Sequence, residues 1–127
     1  ALLTLLATRV VPYVWYLQRH KAEADQLAMA SVETREEEQY TIVRLQGAWT
    51  QRNIAPLRDC FSKAVLAGKG VRLEMDAVTY VDSAFVGLVM LLHGHQAQHC
   101  RQLLLVSPQQ SVRLAIKYCC AEYLLKR

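Results

Sequence analysis

The chain has 127 residues, 53% of them hydrophobic and 20% charged, with 15 basic and 11 acidic side chains for a net charge of +4. That is apolar matter enough for the core of one domain with an added segment, and too much for a disordered chain. The basic excess gathers at the ends (Arg9, Arg19 and Lys21; Lys117, Lys126 and Arg127) around the acids Glu33, Glu36, Glu37 and Glu38, so no basic stripe interleaved with aromatics points to nucleic acid.

Cys60, Cys100, Cys119 and Cys120 form no CxxC pair, which excludes zinc-ribbon and thioredoxin-like chemistry. Cys119 and Cys120 are adjacent and would bridge only with strain, so free buried thiols in a reducing cytoplasm are expected. No secretory signal is visible. In "ALLTLLATRVVPYVWYLQRHK", Arg9 interrupts the apolar run and Pro12 breaks or kinks a helix. The roughly 20 uninterrupted apolar residues of a spanning helix are therefore absent. Tyr13, Trp15 and Tyr16 ahead of Arg19 and Lys21 resemble an interfacial belt with a basic flank; an amphipathic helix packed on another surface is the plainer reading. Residues 1–28 are expected to be a helical segment, a linker or the end of a preceding domain, and 29–127 the main domain.

From Tyr13 to about Met29 the pattern is helical. "ASVETR" alternates weakly, "EEEQ" is a polar turn, and "YTIVRLQGAW" alternates apolar and polar, which predicts a hairpin. In "TQRNIAPLRDCFSKAVLAGKG", Asn53 is the expected N-cap and Pro56 fits the first turn. Ile54, Leu57, Phe61, Ala64 and Val65 make one apolar helical face, and Gly68 and Gly70 stop the helix. "VRLEM" reads as a strand and "VTYV" as a brief apolar approach to Asp82-Ser83. "AFVGLVMLLHGHQAQH" reads as a helix and "QLLLVS" as a buried strand. Ser107-Pro108 signals the start of another helix, with Val112, Ala115 and Ile116 inward. "AEYLL" closes the chain as a candidate short strand. The order β-β-α-β-α-β-α predicts an α/β fold, a central mixed sheet with parallel crossovers and helices against it.

Between "VRLEMDAVTYV" and the apolar helix sits Asp82-Ser83. Exposed N–H groups at such a junction need acceptors, and either side chain can supply one. A serine there is also a good seat for a phosphate, because the helix dipole and free N–H groups favour negative charge. A nucleophilic serine would need a base and an oxyanion hole; "VDSAF" is no GxSxG elbow, and His93, His95 and His99 lie toward the far end of the same helix. His95 and His99 share a helical face, but Gly94 weakens the helix and no carboxylate ligand is near, so no metal is expected.

The succession "YTIVRLQGAWT", "GVRLEMDAVTYVDSAFVGL" and "QLLLVSPQQSVRLAI" resembles the STAS domain, the fold of bacterial anti-sigma-factor antagonists and of the cytoplasmic tails of SulP anion transporters. The resemblance covers about residues 30 to 125. In that family a strand ends in a glycine, here Gly47, and a central strand leads into D-S-x-G, here Asp82, Ser83, Ala84 and Phe85. It implies that Ser83 is the regulated serine that a partner kinase phosphorylates, with Asp82 its motif neighbour and Gly87 a second small position. The family glycine is Phe85 here, and a bulky ring in the first turn is expected to change the surface a kinase must approach.

The helix from Ala84 is apolar around its circumference, so one stripe is left over after the sheet contact: either Ala84, Leu88 and Leu91, or Val86, Met90 and His93. Leu88, Met90 and Leu91 are the interface candidates. The expected function is a non-catalytic, cytoplasmic regulatory module without cofactor. It acts on a protein partner (an anti-sigma factor or kinase-like protein, or a fused domain) or on a second copy as a homodimer, and meets a membrane only through an upstream domain. A SulP-type transporter tail, or the tail domain of a larger enzyme such as a bacterial glycosyltransferase, is the alternative setting.

Overall fold

A computed structural model describes residues 30–126. The helix expected over Tyr13 to Met29, and the division of the chain at residue 28, lie outside the described residues. The order is β1 (Ser31–Glu36), β2 (Tyr40–Trp49), α1 (Ala55–Ala67), β3 (Gly70–Val81), α2 (Ser83–Gln98), β4 (Leu103–Val106) and α3 (Gln110–Tyr118). "AEYLL" ends the fold as a 3-10 turn, Glu122–Leu125, rather than a strand. The strands form one mixed sheet in the order β1-β2-β3-β4. β1 and β2 are an antiparallel hairpin across the "EEEQ" turn, while β2, β3 and β4 are parallel through the two helical crossovers.

One face of the sheet carries the core. Val43 and Leu45 of β2 and Val71, Leu73 and Met75 of β3 join Leu57, Phe61 and Ala64 of α1, Phe85, Val86, Val89 and Leu92 of α2, and Val112, Ala115 and Ile116 of α3 in one cluster. The other face carries charge, with Arg35 and Arg44 both approaching Glu74, at 3.6 and 3.9 Å, and also buried Ile42. Exposed pairs like these add little stability.

β3 is longer than the periodicity of "VRLEM" indicates. The strand runs unbroken to Val81 and absorbs the expected separate "VTYV". Its core residues change phase, from Val71, Leu73 and Met75 to Val78 and then Val81, while Tyr80 packs with Ala48 in a separate cluster. The register explains the change: between Arg44↔Glu74 and Gln46↔Ala77, β3 advances one residue more than β2, and it does so again past Gly47. Gly47 has φ 85, a conformation that suits glycine, at the second of these irregularities.

Two expected caps are corrected. Asn53 does not cap α1: its Oδ1 accepts from Thr50 N–H and its Nδ2 donates to the Ala48 carbonyl, both at 2.8 Å, so it closes the turn ahead of the helix. Ser107 has φ 54, and α3 begins only at Gln110. The side chains of Gln109 and Ser111 instead donate to the carbonyls of Asp76 and Thr79 on β3. β4 pairs with β3 only over Val71–Glu74, so these two side chains satisfy edge carbonyls that no strand reaches. The cysteines are free, but Cys100 and Cys120 are exposed, not buried. Gln96, 1% exposed, donates from Nε2 to the Lys69 and Gln102 carbonyls at 3.0 Å and ties together the approaches to β3 and β4.

Candidate protein-binding site

The parallel β2 and β3 bring the turn after Trp49 beside the end of β3, where Asp82 N–H bonds the Trp49 carbonyl. Asp82 is the N-cap of α2. Its Oδ1 accepts from Phe85 N–H at 3.0 Å, and its Oδ2 accepts from Gln51 N–H at 2.9 Å. One carboxylate thus serves the helix start and anchors the neighbouring turn. Asp82→Ala is expected to cost about 1–2 kcal/mol, the usual loss for a deleted N-cap. Asp82→Asn, which keeps one carbonyl oxygen, should recover part of it; urea titration of both variants checks this.

With the cap assigned to Asp82, Ser83 is the first helical residue and is exposed. Ala84, next along, is half-buried. Phe85 is 0% exposed, with its ring in the core. The expectation that this ring alters the surface beside Ser83 is therefore corrected: the backbone turn hides it, and only its N–H takes part in the cap.

Gly87 lies one turn after Ser83 on the same side of the helix. A Cβ placed on Gly87 or on Gly94 would meet nothing within 4 Å, so packing inside the described residues does not require a small residue at either. Gly87→Ala should raise stability by about 0.5–1 kcal/mol through helix propensity alone. A rise in melting temperature would check it, and a fall would reveal a contact that glycine permits.

The left-over stripe resolves unevenly. Val86 is buried, which removes it from the second expected stripe, whereas Leu91 is 73% exposed. Leu88 and Leu91 line an open groove of about 370 Å³ between α1 and α2, with Phe61, Val65 and Leu66 opposite. Met90 is exposed outside that groove. Leu66, 86% exposed, is the residue sequence reasoning missed; the available signal was a leucine off the apolar face of α1. His95 and His99 stack with ring centroids 4.3 Å apart. Among the described residues no three His, Cys, Asp or Glu side chains come together as a metal site.

A family model described as "Mlab, STAS domain" matches residues 32–119. The chain belongs to the STAS family. No curated protein matches the sequence. Among solved structures, this STAS domain is similar to the anti-sigma factor antagonist SpoIIAA in its unphosphorylated form, with TM-score 0.66 at 17% identity over 75% of this chain and 85% of that one. The phosphorylated form of SpoIIAA, the Bacillus cell fate determinant, gives 0.61 at 16% identity, over 75% and 88%. An anti-sigma factor antagonist from Mycobacterium paratuberculosis gives 0.68 at 12% identity, over 79% and 88%. At these identities the likeness carries the fold of the STAS domain, and the roles of Ser83 and its neighbours rest on their own geometry. No described helix of the domain is long and apolar enough to cross a membrane.

Proposed function

We propose that this STAS domain is a non-catalytic regulatory module of the cytoplasmic side, which binds a protein partner through the N-terminal end and outer face of α2 and is switched by phosphorylation of Ser83. One observation carries the reading. Ser83 is exposed at the first position of a 16-residue helix whose cap is already supplied by Asp82. Its hydroxyl can therefore be modified without removing a bond on which the helix depends. The dipole of α2 favours an anion at that place, and a phosphoserine adds a charge of about −1.5 to −2. Leu88, Met90 and Leu91 continue from Ser83 along the helix and supply apolar area for a partner. The fold of SpoIIAA, which exists in phosphorylated and unphosphorylated forms, supports the same logic.

The test uses the 127-residue chain as bait in its native host, as wild type, Ser83→Ala and Ser83→Asp, with quantitative mass spectrometry. A phosphate localised to Ser83, and a captured protein lost selectively with Ser83→Asp, are the expected results. Identical captures from all three baits, with no phosphate on Ser83, would overturn the reading.

A further inference from the structure

The groove between α1 and α2 has a chemistry of its own. α1 joins parallel strands β2 and β3, and α2 joins parallel strands β3 and β4, so both helices run back along the sheet in the same direction. Arg58 and Leu88 mark the end nearer the helix starts, and Leu66 and His95 the other. The floor and walls are Phe61, Val65, Leu91 and Leu92. From Arg58 to Leu66 the rise of α1 is about 12 Å, roughly two helical turns. Two exposed leucines, Leu66 and Leu91, stand on opposite sides.

The polar lining is one-sided. Arg58, Ser62 and His95 line the groove, and no carboxylate does. Ser62 is already engaged, its hydroxyl donating to the Arg58 carbonyl at 3.0 Å. A guanidinium near one end and an imidazole near the other are what an incoming chain meets. We infer that the groove docks an amphipathic helix of a partner protein, with an apolar stripe over two turns and carboxylates flanking it. A third helix laid between two parallel ones is the shape such a groove accepts, read by anchors at i, i+3 or i+4, and i+7.

Two other occupants fit the charge less well. A second copy meeting groove to groove would offer Arg58 no carboxylate. Residues 1–17 of this chain are apolar enough, but Arg9 is their one charged residue and they hold no carboxylate; Glu23 and Asp25 come later, behind Arg19, His20 and Lys21. This inference rests on the protein-binding reading above and adds the chemistry of the partner.

The test is fluorescence anisotropy of the 127-residue chain with two synthetic helical peptides. They share leucines at i, i+3, i+4 and i+7; one carries glutamates at both flanks and its twin lysines. The glutamate peptide should bind at least about tenfold tighter, and lose that margin as salt screens the charges. Arg58→Glu should reverse the order, and Leu91→Lys should abolish binding of both. These positions are at the surface, so circular dichroism should stay unchanged. Equal affinities for the twins, or binding indifferent to Leu91→Lys, would overturn the inference. So would a Leu91-dependent dimer in sedimentation with neither peptide bound, or binding that emerges only once residues 1–28 are removed. A native partner that is lost with Ser83→Asp yet retained by Leu91→Lys would leave the regulatory reading standing and take the groove out of it.

Discussion

Phe85→Gly, which would restore the family's D-S-x-G pattern, is expected to lower stability by about 4–6 kcal/mol: roughly 3–5 for emptying a buried phenylalanine site and about 1 for glycine in a helix. Phe85 is 0% exposed and sits in the cluster that joins α2 to the sheet. A domain of this size holds only about 5–15 kcal/mol in total, so the variant should stand near the edge of unfolding. Phe85→Leu keeps most of the volume and should cost far less, about 1–2 kcal/mol. Urea midpoints of the two variants measure the difference. A glycine variant that melts within a few degrees of the parent would mean that the ring is not part of the core. The physical point is that a motif position is shared between surface and interior: the Phe85 N–H serves the cap while the ring fills the core.

Much of the fold was legible because its signals are periodic. Ile54, Leu57, Phe61 and Ala64 at helical spacing, and Val71, Leu73 and Met75 at strand spacing, face one core as their patterns require. The Asp82-Ser83 junction was legible because two polar residues interrupt two apolar runs where a helix must start, although the pattern did not say which of them caps. What escaped the sequence depends on pairing across the sheet. The phase change in β3 comes from an extra residue opposite β2, and period-two reasoning along one strand does not detect a partner's register. Asn53 and Ser107 look like caps in isolation, but Asn53 bonds the turn before its helix and Ser107 takes a left-handed φ ahead of a helix that begins at Gln110. Gln96, polar inside an apolar helix, is buried because the backbone carbonyls of Lys69 and Gln102 meet its amide. The groove needed both helices in place, since neither Leu66 nor Leu91 marks a binding face until the other stands opposite.

Ser83→Asp is expected to leave the fold intact and to weaken partner binding by at least about tenfold, a loss of about 1.4 kcal/mol. The fold should hold for two reasons. Asp82, not Ser83, accepts the Phe85 N–H, so the cap survives the change. An anion in the first turn also gains from the helix dipole, by about 0.3–1 kcal/mol, which offsets repulsion from the adjacent Asp82 carboxylate. The melting temperature should therefore stay within a few degrees of the parent, as surface changes of about 0.5 kcal/mol allow. Binding should suffer because a new carboxylate at an interface must lose water on association and finds no counter-charge in a surface built to meet a hydroxyl. Ser83→Ala removes the hydroxyl without adding charge and should bind nearly as the parent does. Calorimetry with the captured partner, run beside thermal melts of all three chains, separates the outcomes. Weak binding in Ser83→Asp alone, with three similar melts, is the signature of a charge-operated switch. A collapsed melting temperature with unchanged association would make Ser83 a structural residue of the helix start and remove the switch.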